Sequence, residues 1–403
     1  MPFDARGLPA PLPDVDIPLC VPNIGTNEWA YVKECLDTGW VSSAGRYVER
    51  FEREFAAKVG VPYAVATASG TAALHVALLV AGVRSEDEVI VPALTFIAPA
   101  NAVRYTGAWP TFVDAEPDYW QLDPAEVRAF LEHDCERRDR EVWNRRTGRR
   151  VAAVLPVDIL GHPCDLDAIH AVAGEYELTV VEDATESLGA CYRGRPLGQR
   201  SQLTCFSFNG NKLLTTGAGG MVATTDARLA ERARYLTTQA KDDPLEFVHA
   251  EIGFNYRLSN VQAAIGCAQL ERLDEFVARK RQIASRYAHA LCGLRGVSVM
   301  REAPWATASF WLSTILVAEG RAAHGSRALL KSLQAARIQT RPLWQPLHRS
   351  RAHTGSFARP CPVAERLNRE ALSLPSSTGL TEAECDYVVE RVAHFLAGDR
   401  GAA

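Results

Sequence analysis

The chain has 403 residues, of which 47% are hydrophobic and 23% charged, with a formal net charge of −4 at pH 7. This composition is ordinary for a globular protein and allows two or three packed units. It contains no basic stripe that would favour nucleic-acid binding, and its apolar runs are too short to span a membrane. Ten scattered cysteines without a Cys-x-x-Cys pair exclude zinc-finger spacing and indicate free thiols in the reducing cytoplasm.

The first part of the chain combines an irregular arm with two helices. Residues 1–19 are rich in proline and lack the apolar core of a signal peptide, so we expect an extended arm. A helix is predicted at 27–37, where Gly39 lies just beyond its end. A second helix is predicted at 47–58, because its apolar residues recur on one face.

The middle of the chain alternates short apolar runs with helical segments. The predicted strands cover 63–69, 88–93, 109–115, 151–159, 178–184, 205–209 and 219–225. The predicted helices between them cover 71–81, 95–105, 123–132 and 165–174. This alternation predicts an α/β fold around a mostly parallel sheet. The near-continuous apolar character of several strands fits a sheet that is covered on both faces.

Two later segments depart from this alternation. Residues 132–150 are dense in arginine and acidic residues, which predicts a solvated surface excursion; the alternative is that one of its arginines binds a ligand. A long helix at 273–291 leads into a C-terminal portion of mixed strands and helices that ends with a helix at 381–397. We therefore predict a domain boundary near the long helix.

The turn between the first strand and the following helix is a candidate phosphate site. Ser69, Gly70 and Thr71 stand where the helix begins, and a helix N-terminus offers unpaired N–H groups and positive potential. Gly70 would allow the close approach of a ligand, and the two hydroxyls would add donors. The alternative is that Ser69 simply caps the helix.

Two ionisable residues follow further along the chain. Asp183 lies at the end of an apolar strand, where ligands gather in open α/β sheets, and a buried acid there needs a partner such as a protonated pyridine nitrogen. Lys212 lies between a strand and a glycine-rich return, and a desolvated amine in such a place becomes nucleophilic. A turn-capping aspartate and an exposed loop lysine are the alternatives.

The order of these features along one α/β chain is more specific than any of them alone. A pyridoxal-phosphate site requires a phosphate anchor, an acid for the ring nitrogen and a lysine that forms a Schiff base with the cofactor. The sequence supplies them in that order, at 69–71, Asp183 and Lys212. It therefore predicts pyridoxal 5'-phosphate, which becomes the pyridoxamine form in turnover, as the cofactor.

The sequence resembles the sugar aminotransferases of the DegT/DnrJ/EryC1/StrS group over nearly its whole length. The matching stretches are ASGTAALHVAL, EVIVPALTFIAPANAV, VVEDATESLGA, CFSFNGNKLLTTGAGGMVAT and GFNYRLSNVQAAIG. The resemblance implies the aspartate-aminotransferase type of fold, fold type I, with a mostly parallel seven-stranded sheet. It implies an N-terminal arm and helix at 1–45, a large cofactor-binding domain at 46–272, and a linking helix with a small α+β domain at 273–403.

The same resemblance implies a set of cofactor contacts. They are Ser69, Gly70, Thr71, Phe96, Asp183, Glu186, Ser207, Lys212 and Asn255. The catalytic residues among them are Lys212 and Asp183, while Phe96 would stack on the pyridine ring. Glu186 stands where the family often has glutamine or histidine, so its role is open. Asn255 would reach the phosphate of a neighbouring subunit, which implies a homodimer with shared active sites.

A narrower resemblance concerns the substrate. The stretch NEWAYVKECLDTGWVSSAGRYVERFE and the NRRTGRR insertion look like aminotransferases of the legionaminic acid and bacillosamine pathways. That likeness implies transfer of an amino group from glutamate to the C4 keto group of a nucleotide-linked 4-keto-6-deoxy-N-acetylhexosamine. The alternatives are a GDP-linked perosamine precursor, a 3-keto sugar, a cyclitol, or a non-catalytic protein that binds the cofactor. A related dehydratase is disfavoured because histidine replaces the lysine in such relatives.

Five residues are candidate substrate contacts by family analogy. They are Trp40, Ser42, His162, Arg341 and His348. The first two belong to the run 40–43 and the arginine to the run 341–344, for which ordinary loop packing is the alternative. Each histidine could equally be a structural residue with satisfied hydrogen bonds. No set of residues completes a metal site in the sequence, so we predict none.

Overall fold

The computed structural model describes residues 16–243, 245–318 and 325–398. Its α-helices are α1 Glu28–Thr38, α2 Arg46–Val59, α3 Gly70–Val80, α4 Ala98–Tyr105, α5 Pro124–Ala129, α6 Leu166–Glu175, α7 Ala227–Thr237, α8 Asn260–Leu270, α9 Leu273–Leu291, α10 Gly325–Ala335, α11 Pro362–Glu370 and α12 Glu382–Gly398. Among these helices, none is both long and apolar enough to cross a bilayer.

The strands form three sheets. They are β1 Tyr63–Thr67, β2 Glu88–Pro92, β3 Trp109–Val113, β4 Cys135–Arg138, β5 Glu141–Asn144, β6 Arg150–Val154, β7 Thr179–Asp183, β8 Cys191–Tyr192, β9 Arg195–Pro196, β10 Leu203–Ser207, β11 Gly220–Thr224, β12 Val297–Val299, β13 Ala306–Thr307, β14 Ser313–Val317, β15 Arg341–Pro342 and β16 Ala371–Leu374. The large sheet has the central order β1-β11-β10-β7-β6-β2-β3. Its four pairs from β10 to β3 are parallel, whereas β11 is antiparallel to both neighbours.

The predicted α/β fold with seven mostly parallel central strands is therefore confirmed. All five residues of β2, β10 and β11 are buried, which explains why the sequences of these strands are mostly apolar. One face of the sheet packs against α3, and the other packs against α2 and α6. The carboxyl ends of the parallel strands meet at one edge, beside the start of α3.

The arginine-rich segment differs from the predicted surface excursion. It folds into the hairpin β4–β5, and Val142 of this hairpin pairs with Val151 of β6, so the large sheet has nine strands. Beneath it lies the fully buried Glu88, which accepts hydrogen bonds from Asn144 Nδ2 at 2.9 Å and Thr147 Oγ1 at 2.7 Å. These hydrogen bonds attach the hairpin to the interior of the protein, which the high content of charged residues in this segment does not indicate.

The C-terminal portion contains a separate four-stranded sheet of order β12-β14-β16-β15. A third hydrophobic cluster lies beneath it, to which Ile283, Tyr287 and Leu291 of α9 contribute. This arrangement is compatible with the predicted division at residue 273, which stays a prediction. Of the predicted arm, residues 1–15 lie outside the described residues, and Ile17 pairs with Ile338 of the C-terminal portion.

Candidate active site

A cavity of about 370 Å³ lies at the carboxyl edge of the large sheet, beside the N-terminus of α3. Its lining combines the predicted phosphate turn, the predicted lysine and several aromatic and amide side chains. The lining residues are Ser69, Gly70, Thr71, Leu74, Phe96, Ala98, Thr185, Glu186, Ser207, Asn209, Asn211, Lys212, Ala218, Gly219, Trp311 and Trp344. Segments that are far apart in the sequence therefore meet at this single edge of the sheet.

The start of α3 forms one wall of the cavity. Ser69 Oγ accepts a hydrogen bond from the Ala72 amide at 3.1 Å, so this serine does cap the helix. A Cβ atom on Gly70 would lie 2.8 Å from Ser207 Cβ, closer than side chains tolerate. Glycine is therefore required where α3 meets the end of β10. Gly70 and Thr71 of the first helical turn line the cavity, and the unpaired N–H groups at a helix N-terminus favour an anion there.

Asp183 ends β7 and is almost fully buried. Its Oδ1 accepts a hydrogen bond from the Thr185 amide at 2.9 Å, whereas its Oδ2 has no partner within the described structure. Burial raises the pKa of this carboxyl to about 6, although its bonds to Thr185 and the charge of Lys212 lower the pKa. A buried acceptor without a donor is costly, so the site is suited to a ligand that brings one.

Lys212 extends its amine into the same cavity. Nζ lies 3.5 Å from Glu186 Oε1 and 4.2 Å from the centre of the Trp311 ring. The other oxygen of this carboxylate, Oε2, accepts a hydrogen bond from the Leu160 amide at 2.9 Å, which fixes the orientation of the Glu186 side chain. Burial raises the pKa of Glu186, and the neighbouring lysine lowers it. The amine is thus held between an acid and an aromatic face.

The loop that carries Lys212 is fastened from the C-terminal portion. Trp311 Nε1 donates to the Asn211 carbonyl oxygen at 2.7 Å, and the Cys20 thiol donates to the same oxygen at 3.3 Å. The fully buried Lys280 in turn donates to the Trp311 carbonyl oxygen at 2.7 Å. The sequence alone does not identify Trp311 as a site residue. Trp311 and Lys212 are distant in the sequence and come into contact only when the chain has folded.

The predicted cofactor residues divide into those at the cavity and one outside it. Phe96 and Trp344 both line the cavity, and 53% of the surface of Phe96 is exposed. Asn255 is exposed on another surface and does not line the cavity of its own chain. Within one chain, the other predicted cofactor residues line this cavity, except for Asp183, which is buried and accepts a hydrogen bond from the amide of the lining residue Thr185.

The predicted substrate residues do not line the cavity of their own chain. Trp40 lies in a separate groove beside α1 and α2, and the Ser42 carbonyl oxygen accepts the Asn260 amide at 2.6 Å. Arg341 is exposed on β15, and its Nη1 donates to the Thr340 carbonyl oxygen at 3.0 Å. None of these contacts identifies a ligand-binding role within a single subunit.

Both candidate histidines have protein partners. His162 has no exposed surface; its Nδ1 is 2.8 Å from the Pro163 carbonyl oxygen, and its Nε2 accepts the Ala303 amide at 2.9 Å. Burial lowers the pKa of His162 to about 4, so its ring is neutral. His348 Nε2 lies 3.1 Å from Glu365 Oε1. The contacts of His162 match the structural alternative, since neither ring nitrogen is free for a substrate.

The donors and acceptors of the cavity fit pyridoxal phosphate. The start of α3 suits the phosphate, the unpaired Asp183 Oδ2 suits a protonated ring nitrogen, and the Lys212 amine suits the aldehyde carbon. A sheet of this order with a lysine and a buried aspartate at its carboxyl edge defines the class of fold type I pyridoxal-phosphate enzymes. Within the described residues, no group of three histidine, cysteine or acidic side chains could hold a metal ion.

Comparison with known proteins narrows this class to one family. The model of the DegT/DnrJ/EryC1/StrS aminotransferase family matches residues 22–393. The chain belongs to this family, and it is a pyridoxal-phosphate-dependent sugar aminotransferase. The predicted family is therefore confirmed, whereas the narrower likeness to legionaminic acid and bacillosamine enzymes is not.

Individual relatives cover almost the whole chain. The GDP-perosamine synthase of Caulobacter vibrioides is 39% identical over 94% of this chain and 98% of its own length. That of Escherichia coli O157:H7 is 37% identical with the same coverage. The crystal structure of S. venezuelae DesV in complex with a ketimine intermediate is 33% identical over 94% of this chain and 99% of that chain, with a TM-score of 0.83.

Proposed function

We propose that this enzyme transfers an amino group from glutamate to the keto group of a GDP-linked sugar, the precursor of a perosamine-type product. The observation that carries the chemistry is that Lys212 and the start of α3 line one cavity, and that the buried Asp183 is hydrogen-bonded to Thr185 of its lining. The GDP-linked substrate is supported by the GDP-perosamine synthases among the relatives. The free cysteine thiols support a cytoplasmic location for this reaction. The alternative substrate, a nucleotide-linked 4-keto-6-deoxy-N-acetylhexosamine, is supported only by the sequence likeness to legionaminic acid and bacillosamine enzymes.

Each residue of the cavity then has a defined task. The amides of Gly70 and Thr71, with the Ser69 and Ser207 hydroxyls, bind the cofactor phosphate. Phe96 would pack against the ring of the cofactor, and ionised Asp183 would keep the ring nitrogen protonated. When bound, pyridoxal phosphate supplies an aldehyde that captures the amine and a ring that accepts electrons.

Lys212 has two tasks in this scheme. Its amine would anchor the cofactor and, when free, would serve as the base that takes the proton from the α-carbon of the donor. Glu186 Oε1, 3.5 Å from Nζ, accepts a hydrogen bond from the amine and holds it beside the reacting atoms. Since donor and keto-sugar use the same cavity in turn, we expect ping-pong kinetics.

A homodimer with shared active sites would complete the cavity. Large apolar side chains are exposed on two surfaces: Trp29 of α1 is 73% exposed, and Leu245 and Ile252 are 85% and 86% exposed. Asn255 lies next to the second surface and outside its own cavity. A second copy that covers these surfaces would bring Asn255 to the phosphate of the neighbouring site. Trp40 and Ser42 would likewise reach substrate only across the interface.

The substrate proposal is tested with a panel of nucleotide-linked keto-sugars made in place by dehydratases from GDP-, UDP- and dTDP-linked precursors. The purified enzyme, loaded with pyridoxal phosphate, receives glutamate and then each keto-sugar, and the products are identified by mass spectrometry. We expect the GDP-linked sugar to gain an amine with the highest kcat/KM. Highest kcat/KM with a UDP-linked N-acetylated sugar would instead establish the alternative. No amination of any sugar would contradict the proposed function.

Replacement of Gly70 with alanine should weaken cofactor binding. The new methyl group would overlap Ser207 at 2.8 Å and push the start of α3 away from the phosphate. We expect the dissociation constant of pyridoxal phosphate to rise by about tenfold or more, consistent with loss of one charge-assisted hydrogen bond. The matched control is Gly174→Ala in α6, where a Cβ meets no atom within 4 Å. Equal affinities in the two variants would contradict the phosphate assignment.

Mixing two inactive variants tests the shared site. In a Lys212→Ala/Asn255→Ala heterodimer, one site would receive intact Lys212 and intact Asn255 from different chains, while the other would receive neither. After random reassortment of an equal mixture, we expect about a quarter of all sites to be active, and therefore about a quarter of the wild-type activity. Assays of the mixture before and after reassortment measure this recovery. A mixture that never exceeds the mean of the separate variants would argue against a shared site.

A further inference from the structure

Two more acids lie directly behind the cofactor-binding Asp183. Asp158 and Glu182 both have no exposed surface. Glu182 precedes Asp183 on β7, and because side chains alternate along a strand, it points to the opposite face of the sheet. Asp158 follows β6, and its amide donates to the Asp183 carbonyl oxygen at 3.0 Å. Neither of these acids lines the cavity.

The hydrogen bonds around these two acids leave one oxygen unsatisfied. Asp158 accepts the Cys164 amide at 2.8 Å and the Ser187 hydroxyl at 3.3 Å. Glu182 Oε2 accepts the Thr204 hydroxyl at 3.1 Å, whereas Oε1 is buried without a donor within the described residues. Val157 pairs with Asp183, so the side chains of Asp158 and Glu182 project from the same face of the sheet, and the charge of Glu182 raises the pKa of Asp158. Since two carboxylates can only accept, they can bond to each other only if one carries a proton.

The neighbouring groups supply no positive charge to the two acids. In the described part of the chain, neither carboxyl forms an ion pair with a lysine or an arginine. The facing titratable groups are Asp183, His170 through Ser201, and the thiols of Cys164 and Cys205. Burial lowers the pKa of His170 to about 4 and raises the pKa of both thiols well above the usual range, so these groups are neutral.

Burial favours the protonated form of both acids. It raises the pKa of Glu182 to about 7, although the nearby Ser201 and Thr204 hydroxyls lower it. Burial and then the charge of Glu182 raise the pKa of Asp158 well above its usual value. Two adjacent buried carboxylates would repel each other and Asp183 together, and one retained proton removes most of that cost.

We propose that Asp158 and Glu182 share one proton and form a positioning pair behind Asp183. The shared proton provides the hydrogen bond that Glu182 Oε1 lacks. It also leaves one negative charge behind Asp183 in place of two. Asp158 also braces the turn from which the Leu160 amide donates to Glu186 at 2.9 Å, beside Lys212. The positioning role rests on the proposed task of Asp183, whereas the shared proton does not.

The shared proton has a direct spectroscopic test. Infrared spectra of the cofactor-loaded enzyme at neutral pH should contain a carboxylic-acid C=O band that is lost in Glu182→Gln and in Asp158→Asn. In either variant the new amide donates to the remaining carboxylate, so the pair no longer retains a proton. Glu88→Gln is the matched control, because Glu88 is equally buried but bonded to several donors, and this variant should keep the band. Absence of the band in the wild type, or its retention in either pair variant, would overturn the proposal.

The pH dependence of unfolding distinguishes a shared proton from plain packing. The folded chain holds a proton on Glu182 that an unfolded chain would lose near pH 4.5, so wild-type stability should fall as pH rises from about 4.5 to about 7. Glutamine has no proton to lose. The ratio of the unfolding constants, wild type over Glu182→Gln, should therefore rise by up to about tenfold per pH unit in this window. A ratio independent of pH would overturn the proposal.

The positioning role is measured by cofactor affinity. Glu182→Gln, which keeps a hydrogen bond to Asp158, should change the dissociation constant of pyridoxal phosphate by no more than about twofold. Glu182→Leu leaves Asp158 as a buried charge without this partner and should raise that constant by about tenfold or more. Suppose that the Glu182→Leu and Glu182→Gln variants bind pyridoxal phosphate equally well while the infrared band behaves as expected. That result would support the shared proton and contradict the positioning role.

Discussion

Replacement of Lys212 with alanine is expected to lower the rate of amino transfer by about 10⁴-fold, at the upper end of what one acid–base group contributes. No other lysine lines the cavity in the part of the chain that the structure describes. The amine is held 3.5 Å from Glu186 and 4.2 Å from the Trp311 ring, and its side chain is only 14% exposed. No second amine is therefore placed to take over the anchoring of the cofactor or the movement of the proton.

Lys212→Arg is the sharper control for this prediction. Arginine keeps a positive charge between Glu186 and Trp311, but it stays protonated and cannot attack an aldehyde. A role of charge alone would leave Lys212→Arg active, whereas a covalent role would make both variants inactive. The absorbance band of the enzyme-bound cofactor should be lysine-dependent and should respond to glutamate only in the wild type. A wild-type band in Lys212→Ala would refute the assignment.

The parts of the fold that the sequence predicts are those with local and periodic signals. Strands β2, β7 and β10 are mostly apolar because helices cover both faces of the sheet, so the sequence indicates their positions directly. Asp183 and Lys212 could be proposed for a related reason, since each follows an apolar strand at the edge where ligands bind. Strand ends are local features, and the sheet brings them together.

Contacts between distant segments could not be read in the same way. Trp311 covers the Lys212 amine and fastens Asn211, from which it is 100 residues away in the sequence. No periodicity connects the two, because Trp311 reaches the cavity from the C-terminal portion of the chain. The free Asp183 oxygen and the pairing of Asp158 with Glu182 are likewise visible only after the strands have been placed side by side.

The arginine-rich hairpin shows how surface charge can hide an ordered element. The many charges of residues 132–150 predict a solvated excursion, yet Asn144 is fully buried and bonded to Glu88. Glu88 begins β2 and would be a costly buried charge without the donors that the hairpin supplies. The element is thus ordered by one acid elsewhere in the chain, which the sequence of the segment itself cannot reveal.

Replacement of Asp183 with asparagine is expected to lower the rate of amino transfer by about 10²–10³-fold, the usual loss when one electrostatic partner of a reacting group is removed. Asparagine has nearly the same shape, and its oxygen can still accept the Thr185 amide that now bonds Asp183 Oδ1 at 2.9 Å. The fold should therefore persist, while the negative charge that keeps the ring nitrogen protonated is lost. Circular dichroism checks the first expectation, and single-turnover rates with glutamate check the second.

The pH dependence of cofactor binding makes this prediction specific to charge. The pKa of Asp183 is about 6, so the carboxyl becomes protonated as pH falls below that value and can no longer pair with a protonated ring nitrogen. Wild-type affinity for pyridoxal phosphate should then fall by up to about tenfold per pH unit below pH 6. The asparagine side chain cannot titrate, so the affinity of the Asp183→Asn variant should lack this dependence. If the affinity of the variant declined equally steeply below pH 6, a group other than Asp183 would be responsible for the decline. That result would contradict the proposal that Asp183 holds the ring nitrogen.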